Sequence, residues 1–218
     1  MNPIVQSVFQ ATELIKDYPP QWHNHNKEVV FEIACSSDYP FAGQIMFSQW
    51  GEEQLPASAR AQREFSVRPG FFDYAVQKEP ALIAWHVNFS DPYLFCAYST
   101  SLLAQDELQV AEHPILGSLY EALATTGKEP RTVDDKGRPT PVTITGIQRR
   151  CAIDTLPNIK VGCPNGLYGN AFARASEEQV RDATKPLLPP TISNILAMAA
   201  PDGGHGDYTR GEINYILN

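Results

Sequence analysis

Apolar residues alternate along Ile83, Trp85, Val87 and Phe89, and the run closes on Asp91-Pro92. A period of two puts successive side chains on opposite faces of an extended chain, so residues 81–89 predict a strand with unlike faces. Such a strand needs partners. Short β-branched or apolar runs supply them at residues 29–34, 44–47, 142–147 and 151–153. Residues 192–200 form a largely apolar run that fits either a strand or a helix.

Between these runs the period changes to that of a helix. Asn2-Pro3 reads as a cap and first turn, followed by Ile4, Val5, Val8, Phe9 and Leu14 until Pro19-Pro20 ends the run. Residues 56–65 and 102–110 also predict helices, and beyond Pro114 a second helical face carries Leu116, Leu119, Ala122 and Leu123. Residues 125–140 are polar and read as a loop. Ser176 and Gln179 have capping-box spacing ahead of Val180 and Ala183, with Pro186 closing that short helix. Strands and helices interleave, which predicts an α/β fold, a mixed sheet flanked by helices, over a sandwich or bundle. Residues 1–80 read as an accessory part of the same domain and 81–218 as its core.

A chain of 218 residues with 43% apolar content can fill one core. The net charge of −8 argues against nucleic-acid and anionic-membrane partners. No apolar run approaches the roughly 20 residues of a membrane span, and Met1-Asn2-Pro3-Ile4 lacks the pattern of a secretion signal. Cys35, Cys96, Cys151 and Cys163 form no C-x-x-C, so free, buried thiols in a reducing cytoplasm are expected, with no metal and no cofactor. His23 and His25 lie in a polar stretch and read as solvated. Arg60, Arg63 and Arg68, and Arg149-Arg150, suit either a phosphate or a solvated face.

Chemistry concentrates after the alternating strand. Ligands of open α/β sheets sit beyond the carboxyl ends of strands, which is where Asn88 and Asp91 fall. Gln105, Asp106 and Glu107 then open the next helix behind two leucines. The two acids equally suit the positive end of that helix, with no ligand involved.

The order of these pieces, V-N-F-S-D and then Q-D-E-L, resembles the V-D-F-A-N and Q-E-E-I of the poly(ADP-ribose) glycohydrolases, a branch of the macrodomain-like fold. Thr143-Ile144-Thr145-Gly146 is similar to that family's next strand, Leu167-Tyr168-Gly169-Asn170-Ala171-Phe172 to its tyrosine-and-glycine loop, and residues 193–200 to a later strand. The resemblance spans residues 85–218. It implies a macrodomain-like fold and ADP-ribose or an ADP-ribosylated protein as partner. It also implies hydrolysis of an O-glycosidic bond, with Glu107 as catalytic acid and base. Asp106 would bind the substrate ribose, Gln105 would match the glutamine before it, and Asp91 the asparagine at the scissile ribose. Asn88, Tyr168 and Asn170 complete the expected ligand contacts, Tyr168 as an aromatic closing over them.

The chain departs from the family in two places. The glycine-rich run before the catalytic motif is replaced by Phe95-Cys96-Ala97-Tyr98-Ser99-Thr100. A second phosphate loop would follow the helix that Thr209, Glu212, Ile213, Ile216 and Leu217 predict, so residues 1–218 are expected to be an incomplete version of the fold. Gly203-Gly204-His205-Gly206 reads as a turn. Two other readings remain: a non-catalytic module for nucleotide-derived ligands, and a protein-interaction domain.

Overall fold

The computed structural model describes residues 2–35, 39–51, 67, 83–127, 130–200 and 207–217. Strand β1 (Val5–Gln10) runs directly into helix α1 (Ala11–Asp17), and helix α2 (His25–Ala34) precedes strand β2 (Gln44–Gln49). Strand β3 (His86–Ser90) leads through an irregular loop to helices α3 (Gln105–Glu112) and α4 (Ile115–Ala124). Strand β4 (Val142–Ile153), helix α5 (Glu177–Ala183), strand β5 (Thr184–Ala199) and helix α6 (Arg210–Leu217) follow.

The strands form a five-stranded mixed sheet in the order β1-β2-β4-β5-β3. β3 runs parallel to β5, with Asn88 opposite Ala197, and the other pairings are antiparallel. The protein is therefore an α/β fold with a mixed sheet flanked by helices. Strands from residues 1–80 and from 81–218 share the one sheet. Alternation decides which face is covered. Ile45 and Phe47, Val142 and Ile144, and Ile195 and Ala197 are buried and pack with Leu14 of α1 and Ile115, Leu116 and Leu119 of α4. A second cluster joins Val29 and Val30 of α2 to Leu108 of α3, Cys151 of β4 and Val180 of α5. Each fully buried aliphatic side chain contributes about 1.5–3 kcal/mol.

Two expected elements come out differently. Residues 4–10 are not helical: Val5 to Gln10 pair in register with Gln49 to Gln44, and the helix begins only at Ala11. Tertiary pairing overrides a helical spacing built largely from β-branched residues, which suit a strand as well. Residues 29–34 are helical rather than extended. The Asn24 side chain accepts from the Lys27 N–H at 3.3 Å as an N-cap, and Asn26, Val30 and Ala34 fall on one buried stripe. Residues 142–147 and 151–153 belong to one strand, and residues 192–199 are extended within β5. The helix expected at 56–65, together with Arg60, Arg63, Arg68 and the Gly203–Gly206 turn with His205, lies outside the described residues.

The long β4–β5 pairing is broken twice. Between Ile144 and Ile147 strand β4 carries an extra residue, and between Arg149 and Cys151 the extra residues belong to proline-rich β5. At the first bulge Gly146 has φ +78°, and a Cβ there would stand 2.2 Å from the Gln44 carbonyl oxygen of β2. Gly146→Ala is expected to lower stability by at least about 1–3 kcal/mol in urea unfolding, from left-handed strain alone. A variant as stable as the parent would show that the bulge relaxes.

Candidate active site

Buried polar residues meet where the end of β3 approaches the start of α3. Asn88 has no exposed surface, Asp106 is 6% exposed and Glu107 3%. They are brought together by Gln105. Its amide accepts from the Phe89 N–H at 2.8 Å and donates to the Val87 carbonyl at 2.8 Å, so the side chain pairs with β3 as another strand would. That sets the first turn of α3 against the carboxyl end of β3. The Asn88 amide then donates to Asp106 Oδ1 at 2.9 Å, and Glu107 Oε2 turns back to accept from the Ala104 N–H at 3.0 Å. Asn88 Oδ1 is buried without a hydrogen-bond partner among the described residues.

The far end of α3 is fixed as firmly. Glu112 pairs with Arg149 of β4 at 2.9 Å and accepts from the Ile153 N–H at 2.8 Å. His113 lies 3.0 Å from Ser193 Oγ of β5, and burial pulls its imidazole down to about 3. Arg149 is thus half-buried in an ion pair rather than on a freely solvated face. Arg150 is buried, donating to the carbonyls of Ala34 and Tyr39 and to Gln148.

The loop from Asp91 to Ala104 folds onto the N-terminal segment. Gln21 N–H donates to Tyr98 Oη at 2.7 Å, the His23 N–H to the Ser99 carbonyl at 3.1 Å, and Lys27 Nζ to the Tyr98 carbonyl at 2.5 Å. His23 also meets Ser99 Oγ at 3.0 Å, and His25 lies 3.0 Å from Glu177, so these two histidines are side-chain partners rather than merely solvated. In this glycine-free stretch Phe95 takes a left-handed φ of 56° with its ring fully buried. Exposed Cys96 places its thiol 3.8 Å from Asp91 Oδ2. The expectation of buried thiols therefore fails at Cys96, while Cys151 and Cys163 are buried and all four cysteines are free.

Tyr168 and Asn170 approach from a different direction. Gly169 exchanges both backbone hydrogen bonds with Leu103, at 2.9 and 3.3 Å, which ties the 163–171 loop to the residues just before α3. Both side chains are exposed beside the loop that carries Asp91. The structure thus joins Asn88 to Asp106, sets Gln105 on the β3 backbone and Glu107 on the Ala104 N–H, and carries Asp91, Tyr168 and Asn170 on the adjoining loops. Lys27 was missed from sequence because it precedes the strand expected at 29–34 and no helix was expected there. A helix capped at Asn24 places Lys27 on the inner face, and that was the available signal.

Burial raises the Asp106 carboxyl to about 7, with the Glu107 and Asp91 charges adding to it and the Asn88 bond and Lys27 opposing. Glu107 is raised too, by burial first, against its backbone hydrogen bonds and Lys27. Burial draws Lys27 down to about 8 against the attraction of Glu107 and then Asp106. Among the described residues no group of three or more metal-ligating side chains is assembled, and no helix is long and apolar enough to cross a membrane. No family model matches the sequence, and no curated protein is significantly similar to it.

The sign of the pH effect follows from these directions. An unfolded aspartate titrates near ~3.9, so between about pH 4 and pH 7 the folded Asp106 holds a proton the unfolded chain has lost. Its contribution to stability is fully present below about pH 4 and is lost as pH rises through about 7. Asp106→Asn keeps an acceptor for Asn88 and removes that titration. Its stability relative to the parent is therefore expected to rise between about pH 4 and pH 8 in denaturant unfolding. A pH-independent difference would mean that Asp106 titrates as an ordinary exposed carboxyl.

Proposed function

We propose that this protein binds ADP-ribose, free or attached to a protein, and hydrolyses its O-glycosidic bond with Glu107 as acid and base. The observation that carries the reading is the pairing of Asp106 and Glu107. They are adjacent carboxyls, buried at the start of α3 beside the end of a strand that runs parallel to its neighbour, and burial raises both above the ordinary carboxylate range. Parallel strands present a ligand crevice at their carboxyl ends. A mixed sheet flanked by helices is compatible with a macrodomain-like fold, and the collinear motifs supply the rest of the argument.

In this mechanism the protonated Glu107 donates to the leaving ribose oxygen as the C1–O bond lengthens. Positive charge grows on the sugar ring, where Asp91 and Asp106 face it. The Glu107 carboxylate then takes a proton from the attacking water, which closes the cycle with Glu107 protonated again. Asn88 Oδ1 is a buried acceptor without a hydrogen-bond partner among the described residues. Binding without turnover is the second reading, favoured by Glu107 Oε2 already serving the Ala104 N–H as a helix cap.

ADP-ribose is expected to stabilise the folded protein more than ADP does, because only the former carries the second ribose. At a hundredfold excess over Kd the gain is about 2.7 kcal/mol, a readily measured melting shift. No shift with ADP-ribose in a folded sample would end the assignment. Glu107→Gln keeps an acceptor for Ala104 N–H but cannot cycle a proton, so turnover should fall by at least about 10²-fold with binding retained. Binding by the parent with no turnover selects the second reading.

A further inference from the structure

We propose that the cavity between the start of β1, the end of α4 and the 130–140 loop is a second ligand site. Its ligand is an organic anion that joins a flat apolar ring to a phosphate or carboxylate, with Arg131 as the anion's partner. None of the residues assigned to the acidic pair lines this cavity, so the proposal stands or falls independently of the ADP-ribose reading.

The cavity holds about 720 Å³, inside the range of roughly 300–1,000 Å³ that small-molecule pockets occupy. It lies at the end of the sheet where β1 begins and β2 finishes, so Val5 and Gln49, paired across those strands, both line it. Much of the remaining lining is apolar. Ile4 and Val5 are exposed, Leu123 of α4 and Val133 of the loop are nearly buried, and the Tyr93 side chain adds an exposed aromatic ring. Apolar and aromatic walls with a few placed polar groups are the usual make-up of a ligand pocket.

Arg131 is the cation of the described lining, and both backbone and ring hold it in place. Tyr93 and Arg131 form an antiparallel bridge, Gln49 Nε2 donates to the Arg131 carbonyl at 2.8 Å, and the guanidinium carbon lies 4.9 Å from the centre of the Tyr93 ring. A guanidinium carries five N–H donors. Among the described residues this one gives a single hydrogen bond, from Nη1 to Asp135 Oδ1 at 2.9 Å, and Nε is buried without a partner. The Asp135 side chain is 97% exposed, so that ion pair is solvated and weak. A fork of donors fixed against a ring and largely unmet suits the paired oxygens of a carboxylate or phosphate. The other polar groups of the wall have partners of their own. Asp134 Oδ1 accepts from the Lys136 and Arg138 N–H groups and Oδ2 from Arg138 Nε at 2.7 Å, which engages its charge inside the turn. Gln49 also donates to Thr140, and Thr126 to the Leu123 carbonyl. What is left to meet a ligand is apolar surface, an aromatic ring and the guanidinium.

The test titrates the whole chain with 1-naphthyl phosphate, 1-naphthoate, 1-naphthylmethylamine and inorganic phosphate, followed by amide NMR. At least one of the two naphthyl anions is expected to give saturable shifts at Val5, Gly127, Arg131 and Val133, and the tighter one names the acid the site prefers. Inorganic phosphate should bind there far more weakly. No saturable shift at those amides with either anion overturns the proposal, and so does tighter binding of the amine or equal binding of inorganic phosphate. Arg131→Gln is expected to weaken the naphthyl anion by at least about tenfold, and an unchanged affinity in the folded variant refutes the role of the guanidinium. Should Arg131→Gln not fold, Asp135→Asn decides, since it removes the competing carboxylate from an exposed position. The naphthyl anion should then bind roughly two- to fivefold more tightly, and an unchanged affinity contradicts the proposal. ADP-ribose, followed at Asp106 and Glu107, tests the other reading separately.

Discussion

The carboxamide of Gln105 bonds both ways to the backbone of β3, and the position of the acidic pair follows from those two bonds. β3 lies at the edge of the described sheet, with β5 on its inner side. An edge strand has backbone groups left to satisfy. Gln105 meets them at Val87 and Phe89, and doing so draws the first turn of α3 over the strand end. Asp106 and Glu107 come next in the helix. One lands on Asn88 of the strand and the other on the helix's own start at Ala104. A hydrogen bond that looks like edge protection therefore fixes the geometry of the candidate site.

Burying those carboxyls creates a problem that the surrounding structure answers only in part. Charged groups out of water are costly unless paired and hydrogen-bonded. Here the compensation is one amide from Asn88, backbone N–H groups at the helix start, and the buried ammonium of Lys27. Opposing these are burial and the further charge of Asp91. The balance leaves Asp106 near neutrality, at about 7, where a carboxyl can hold or release a proton. Functional sites are where such unresolved balances gather, although structural ion-pair networks produce them too. The Glu112–Arg149 pair at the other end of α3 is an instance of the second kind, with direct hydrogen bonds on both carboxyl oxygens.

Much of this was legible in the residues. Alternation located β3, the Pro114 break separated α3 from α4, and the Ser176 box opens α5 as its spacing implies, with Ser176 Oγ accepting from Gln179 N–H at 3.3 Å. The acidic helix start was visible as three polar residues behind two leucines. What escaped depends on distant parts of the chain. Val29, Val30 and Ile33 look like a strand in isolation, and only the Asn24 cap and packing against α5 make them a helix. Losing that helix meant losing Lys27, a buried lysine whose Nζ donates to the Tyr98 carbonyl. Phe95 is a similar case. It takes a left-handed backbone conformation with its ring fully buried, which nothing in the local sequence signals.

The central claim is the proposal that ADP-ribose binds where the end of β3 meets the start of α3. Amide NMR during titration with ADP-ribose, with AMP as control, addresses that claim at the residues themselves. The account predicts saturable shifts at Phe89, Asp91, Asp106, Glu107 and Gly169 with ADP-ribose and much smaller ones with AMP. Saturable binding that leaves those amides unmoved and perturbs another surface would contradict it.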